Sequence, residues 1–379
     1  MTVTSSTPKL FQPIKVGNVQ LSHRVVFAPS TRLRNNKRHA ALPIAREYYR
    51  QRSGVPGSLI IHEGAAISAK ACGFGYAAGI WTDEQVAALK EVVEAVHAQG
   101  SHIFLQIVAV GFSSRLHFLL EDDPTAEYVG ASEIPLKGHE NEPHPRPLTV
   151  DEIHEYAEWF AQAARNAVFG AGFDGVEIHG AHGYLIEQFL SDRSNNRTDE
   201  YGGSIENRAR FALEVTEAVV KAVGEERTGF RISPWSPHQD INMPDPKPTF
   251  GYLVTQLRDR YPRFAYLHVV EPGTSAAFVA DPSQYDQDAS NDFLRKIWDP
   301  KTRPFISAGG YTRETAIAAA EEKGDLVAFS KLYIANPDLP RRLMEDAPLT
   351  APDEATFYAP GSEDAKGYTD YPFMSAVSA

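Results

Sequence analysis

The sequence predicts an α/β protein of the (β/α)8 barrel class. Three observations carry that prediction. Eight short β-branched, apolar runs recur along the 379 residues, and most of the gaps between them hold a helical pattern. The runs are apolar throughout rather than alternating, as in strands covered by helices on a parallel sheet. One run, Val176-Glu177-Ile178-His179-Gly180-Ala181-His182-Gly183-Tyr184, ends in two histidines and a tyrosine. Strand ends are where parallel barrels hold their chemistry.

In chain order, residues 10–22 come first. Val16-Gly17-Asn18-Val19 reads as a hairpin turn that closes the barrel bottom. The strands are expected at 25–29, 58–63, 102–107, 175–179, 229–234, 266–270, 305–308 and 326–329. Asp83-Glu84-Gln85 opens a helix to about His97, and Thr149-Val150-Asp151-Glu152 is a capping box before an amphipathic helix to about Phe169. Residues 204–223 and 313–323 read as two more helices. Residues 111–147 are polar and rich in Pro and His. Following the third strand, they should lie over the catalytic face and shape access, a flexible surface insertion being the alternative. Residues 350–379 have few helix signals and extend a barrel core of about 23–345. No repeat or linker divides the chain, so a single domain over 1–379 is expected.

The net charge of −12 argues against nucleic acid and an acidic membrane face as partners. No run approaches the roughly 18 apolar residues of a membrane span. Residues 1–9 are polar, without the apolar centre of a signal peptide. Cys72 is the only cysteine, which rules out an internal disulfide and cysteine-cluster metals within one chain. A cytoplasmic setting is the expectation.

His179 and His182 could be a core histidine and an exposed one, or two metal ligands lacking a third at a telling spacing. They could also be two donors for a substrate oxygen. Tyr184 would then give a proton, since a phenol stays protonated near neutral pH. No metal is expected.

A second stretch, from Ser194-Asn195-Asn196-Arg197-Thr198-Asp199 through Tyr201-Gly202-Gly203-Ser204 to Asn207-Arg208, decides between these. With Ala28-Pro29-Ser30-Thr31-Arg32, His62-Glu63-Gly64-Ala65, Arg231-Ile232-Ser233-Pro234, Ile334-Ala335-Asn336-Pro337 and Gly367-Tyr368-Thr369-Asp370-Tyr371-Pro372, it resembles the old yellow enzyme family of flavin-dependent ene-reductases. The likeness runs from about residue 10 to 372 and is strongest to fungal members, some of which serve secondary pathways.

The resemblance implies a TIM barrel that binds FMN non-covalently, with NADPH as a transient reductant. It implies that Thr31 hydrogen-bonds the flavin carbonyl beside the reactive nitrogen, and that the backbone of Pro29 and Gly64 lies against the ring. Gln106 and Arg231 match the groups at the pyrimidine edge. Gly309, Gly310, Ser330 and Lys331 occupy the phosphate loops. His179 and His182 would grip a substrate oxygen and Tyr184 would protonate the substrate. Phe74, Val108, Phe112 and Tyr368 would line the substrate cavity. Two departures stand out. Ser330-Lys331 replaces the Gly-Arg of most relatives, which loses the bidentate fork of arginine. Val108 replaces a large aromatic, which opens space above the flavin.

The implied reaction is NADPH-dependent reduction of the activated C=C bond of an α,β-unsaturated carbonyl compound. A redox-neutral isomerase or cyclase using His179, His182 and Tyr184 as acid–base groups is the alternative, and a binding protein with a degraded flavin site is a third reading. A monomer or homodimer is expected.

Overall fold

The computed structural model describes residues 7–137, 141, 143–275, 278–279 and 288–374. The first and last few residues of the chain, and residues 138–140 and 142 of the expected long loop, lie outside these. Eight strands form the barrel: β1 (Val25–Phe27), β2 (Leu59–Ala66), β3 (His102–Val108), β4 (Gly175–Gly180), β5 (Thr228–Ile232), β6 (Tyr266–Val270), β7 (Phe305–Ala308) and β8 (Leu326–Phe329). Each pairs in parallel with the next, and β8 pairs with β1 to close the ring. Closure gives each of the eight strands a neighbour on both sides, and the two-residue strand Ala78–Gly79 adds to the end of β2.

The helices alternate with the strands: α1 (Pro43–Arg52), α2 (Asp83–His97), α3 (Val150–Arg165), α4 (Ile205–Val223), α5 (Lys247–Arg260), α6 (Asp292–Trp298), α7 (Arg313–Ala318) and α8 (Leu339–Glu345). Thr82 and Gln85 box the start of α2, and Thr149 and Glu152 that of α3. Each box satisfies amide hydrogens that the first helical turn leaves unpaired. A π-turn over Asn166–Ala171 extends α3, and left-handed Gly172 stops it.

The barrel floor is apolar. Val26, Leu59, Ile61, Phe104, Tyr266, Ile306 and Leu326 pack there with Val16, Val19 and Leu21. Burying a side chain of this size contributes about 1.5–3 kcal/mol. The last three come from the hairpin Ile14–Val16/Val19–Leu21, whose Asn18 amide hydrogens reach Glu226 O at 3.1 Å and Asp174 O at 3.2 Å. Its turn needs glycine, because Gly17 has φ +52° and a Cβ there would meet Glu226 O at 2.0 Å. With the floor filled, the open end lies at the strand C-termini.

The segment after β3 carries structure of its own: a turn at Gly111–Ser113, a helix at Leu116–Asp122, and short strands Val129–Gly130 and Arg146–Pro147 paired in parallel. Lys137 bridges to Asp240 after β5 at 2.9 Å, and Ser113 hydrogen-bonds Gln239. The loops after β3 and β5 therefore fasten to each other above the mouth.

Candidate active site at the barrel mouth

A cavity of about 730 Å³ opens at the C-terminal ends of the strands. Its wall gathers residues that are far apart in sequence. Pro29 and Thr31 follow β1, and Gly64, Gln106 and Val108 lie on β2 and β3. His179, His182 and Tyr184 come from β4 and its turn, and Arg231 from β5. Gly309 and Gly310 follow β7, Ser330 and Lys331 follow β8, and Phe74 comes from the loop after β2.

The two histidines and the tyrosine share one wall. Tyr184 meets His179 edge to face with ring centroids 4.9 Å apart, and His182 does the same at 5.8 Å. His179 Nδ1 accepts the amide hydrogen of Ala181 at 3.2 Å, so the neutral ring carries its proton on Nε2. Burial first, then the positive charge of Arg231, holds both imidazoles well below the ordinary histidine value. They are neutral donors. Burial, reinforced by Tyr358, pushes the Tyr184 phenol up to about 12, which keeps its proton in place.

The turn that carries His182 is held from behind. His182 has φ +56°, a left-handed conformation that costs a non-glycine residue about 1–2 kcal/mol. Its amide hydrogen goes to Ser233 Oγ at 2.8 Å, and that of Gly183 to Glu187 Oε2 at 2.7 Å. Ser233 and Glu187 hydrogen-bond each other at 3.2 Å, closing a clamp beneath the turn. Burial pushes the Glu187 carboxyl up to about 8 against these bonds.

The rest of the wall suits a planar, hydrogen-bonding ring with an anionic tail. Arg231 Nε is buried and has no hydrogen-bond partner among the described residues, an unmet donor at the cavity edge. Thr31 is exposed to the space. Gly309 has φ +137°, and a Cβ there would lie 2.6 Å from Thr274 Oγ1, so backbone is brought close where a side chain could not fit. Bare amides of this kind receive phosphate. FMN fits this set. Ser330 and Lys331 differ from a plain phosphate cradle, because Ser330 Oγ pairs with Ser30 Oγ at 2.7 Å and Lys331 Nζ pairs with Glu354 at 2.6 Å.

Two expected cavity residues are elsewhere. Tyr368 is fully buried and stacks on Tyr48 at 4.0 Å. Arg32 donates to Gly367 O at 2.7 Å and Arg34 to Asp364 O at 2.6 Å, which draws this part of the extension down onto α1. Phe112 is also buried and off the wall. Its amide bonds Gln188 and its carbonyl accepts from Tyr128, so it belongs to the packing under the loop after β3. Phe357 and Tyr358, eleven and ten residues before Tyr368, line the cavity instead, as do His238, Cys72 and Leu33. His238 faces His182 at 6.1 Å. Its place just past the fifth strand was the only sequence signal for it.

At the edge of the cavity, where Cys72 is part of the wall, His39, Cys72 and Asp122 are the one group of possible metal ligands found among the described residues. Hydrogen bonds occupy the ring instead: Nδ1 meets Ala77 O and Nε2 meets Asp122, both at 2.9 Å, with Cys72 Sγ 3.9 Å away. Two acceptors on one ring mean an imidazolium. Burial opposes that charge, but Asp122 and Cys72 outweigh it and lift the ring from 6.5 to about 10. A raised histidine stabilises the fold fully below its unfolded value, and that contribution is lost as pH rises through the folded one. The Tm should therefore fall between pH 6.5 and about 10 more steeply in the wild type than in Asp122→Asn. Parallel Tm curves for the two proteins would contradict the imidazolium.

Known proteins with similar sequences and structures agree with this geometry. The model of the NADH:flavin oxidoreductase / NADH oxidase family matches residues 9–350. The chanoclavine-I aldehyde reductase fgaOx3 of Penicillium roqueforti is 46% identical over 371 residues, 97% of each chain. A protein of Epichloe festucae var. lolii named "Probable inactive reductase easA" is 42% identical over 97% of this chain and 96% of its own. The solved structure of morphinone reductase in complex with tetrahydroNAD matches with a TM-score of 0.86 and 39% identity, over 97% of this chain and 98% of that one. On these matches and this site, the chain belongs to the NADH:flavin oxidoreductase / NADH oxidase family, as an old yellow enzyme-type oxidoreductase with FMN as cofactor and a reduced nicotinamide as reductant.

Proposed function

We propose that this protein reduces the activated C=C bond of an α,β-unsaturated carbonyl compound with NADPH, in fungal secondary metabolism. The observation that carries the reading is the shared wall of His179, His182 and Tyr184, two neutral donors beside one protonated phenol. The aldehyde-reductase name of the Penicillium relative supports a carbonyl substrate.

Thr31, Gln106 and Arg231 would hold the FMN ring against the backbone of Pro29 and Gly64. Gly309, Gly310 and Ser330 would take its phosphate, and Lys331 would contribute a charge shared with Glu354. FMN, when bound, supplies the hydride chemistry that no side chain can. The residues do the rest. His179 and His182 hold the substrate oxygen and favour negative charge on it, which makes the far carbon of the double bond electrophilic. Tyr184 gives its proton to the nearer carbon. Phe74 and Val108 bound the space over the ring, and the small Val108 leaves room for a bulky substrate.

The test is a visible spectrum of the purified protein, followed by NADPH without oxygen. The reading expects a yellow protein that bleaches with NADPH and recolours with an enone. A protein that transforms the enone without NADPH would instead be the redox-neutral isomerase or cyclase. A protein that takes up FMN but never bleaches would share the inactivity in the name of the Epichloe relative.

A further inference from the structure

Beneath the ring-binding edge lies a buried acid that the reaction above does not use. Glu177 is on β4 two residues before His179, so both side chains leave the strand on the same face. It is fully buried. Gln106 Nε2 donates to its Oε1 at 2.7 Å, and His268 Nδ1 lies 2.8 Å from its Oε2. The strand registers build this. Gln106 stands opposite Glu177, and Arg231 stands between His179 and His268. Burial opposes the carboxylate charge, but His268, Arg231 and Gln106 outweigh it and hold the group below the usual glutamate value.

An ionised carboxylate only accepts hydrogen bonds. Gln106 must therefore turn its NH2 group to Glu177, which leaves Oε1 as its free end. That oxygen lies where a Cβ on Gly64 would meet it at 3.2 Å, and both residues line the cavity. The edge thus offers one acceptor, from Gln106, and the donors of Arg231. The oxidised isoalloxazine ring has a single N–H, on its pyrimidine side between two carbonyls, and this edge complements it. Arg231 also favours negative charge on a reduced ring. Glu177 is the foremost charge set against Arg231.

We propose that Glu177 is a positioning residue for the cofactor, which fixes Gln106 as an acceptor and offsets Arg231 so that the reduction potential of bound FMN stays low. This rests on the reading that seats the pyrimidine edge of FMN at Gln106 and Arg231. A low potential suits the proposed reaction, because the bound cofactor then gives up hydride more readily.

Glu177→Gln keeps the shape, removes the charge, and lets the new amide donate to Gln106, which frees Gln106 to flip. In the FMN-loaded variant, reduction should become favoured by about tenfold, a rise of about 30 mV for a two-electron couple, and oxidised FMN should bind several-fold more weakly. Glu177→Asp keeps the charge but is shorter. It should hold the wild-type potential while sharing the weaker FMN binding. A Glu177→Gln protein with unchanged potential and FMN affinity would overturn the proposal, and an equal rise in Glu177→Asp would overturn its electrostatic half. Should neither variant fold, wild-type protein with FMN methylated on the pyrimidine nitrogen tests the acceptor, with equal affinity for FMN and the methylated form counting against it. Wild-type protein that takes up no FMN would instead sink the seating itself.

Discussion

Tyr184→Phe is expected to slow the oxidation of the reduced holoenzyme by an activated alkene by about 10²–10⁴-fold, the usual worth of a positioned general acid. Reduction by NADPH should stay at its wild-type rate, because no proton from Tyr184 is needed there. Phenylalanine keeps the edge-to-face contact with His179 and removes only the hydroxyl, so the cavity wall stays in place. Stopped-flow measurement of the two half-reactions separates these effects. An equal loss in both would mean that Tyr184 shapes the pocket and donates nothing. The pH dependence gives an independent check. Burial and Tyr358 push the phenol up to about 12, so the alkene half-reaction should stay level through the ordinary tyrosine range near pH 10. It should weaken only as the phenol begins to ionise toward about 12.

Local patterns in the sequence translate directly into the barrel, because each strand needs only its own apolar run. The sixth, seventh and eighth strands have the predicted bounds. The first and fifth end two residues early, just before prolines reached two residues on, Pro29 and Pro234, which cannot donate to the ladder. The second starts one residue later and ends three residues later, past a register shift between His62 and Ala65. The site was legible where it sits at strand ends. His179 lies near the end of β4 and His182 and Tyr184 in the turn that follows, so their meeting is mostly local, with Ser233 bracing the turn from the end of β5. Loops and the C-terminal extension were another matter. Tyr358 and Tyr368 are both aromatic and ten residues apart, and contacts from far earlier in the chain, from the buried Arg32, Arg34 and Arg52 and the ring of Tyr48, draw Tyr368 under while Tyr358 faces the cavity. Phe112 follows Gly111, whose φ of +63° redirects the chain in a way that no periodicity announces. Lys331 carries the expected charge, but Glu354, its partner, lies in a segment without a helix or strand signal.

Replacing either histidine should cost nearly as much as losing the tyrosine. A donor aimed at a developing oxyanion contributes about 3–4 kcal/mol, so His179→Ala and His182→Ala should each lower kcat/KM by about 10²–10³-fold. The double variant should fall short of the product, since both act on one oxygen. The two positions differ in backbone demand. His179 lies on β4 in extended chain, whereas His182 is left-handed at φ +56°. Alanine at 182 therefore adds strain to the lost donor, whereas asparagine tolerates the left-handed region and keeps a donor. His182→Asn should recover part of the loss and the Tm together. At 179, asparagine should leave the Tm where alanine does. Because burial and Arg231 hold both rings neutral well below the ordinary value, substrate affinity should not change as pH passes through the usual histidine range near 6.5. A break there that vanishes in either alanine variant would show that one ring is an imidazolium in the free enzyme, and the grip would then be ionic rather than a pair of neutral donors.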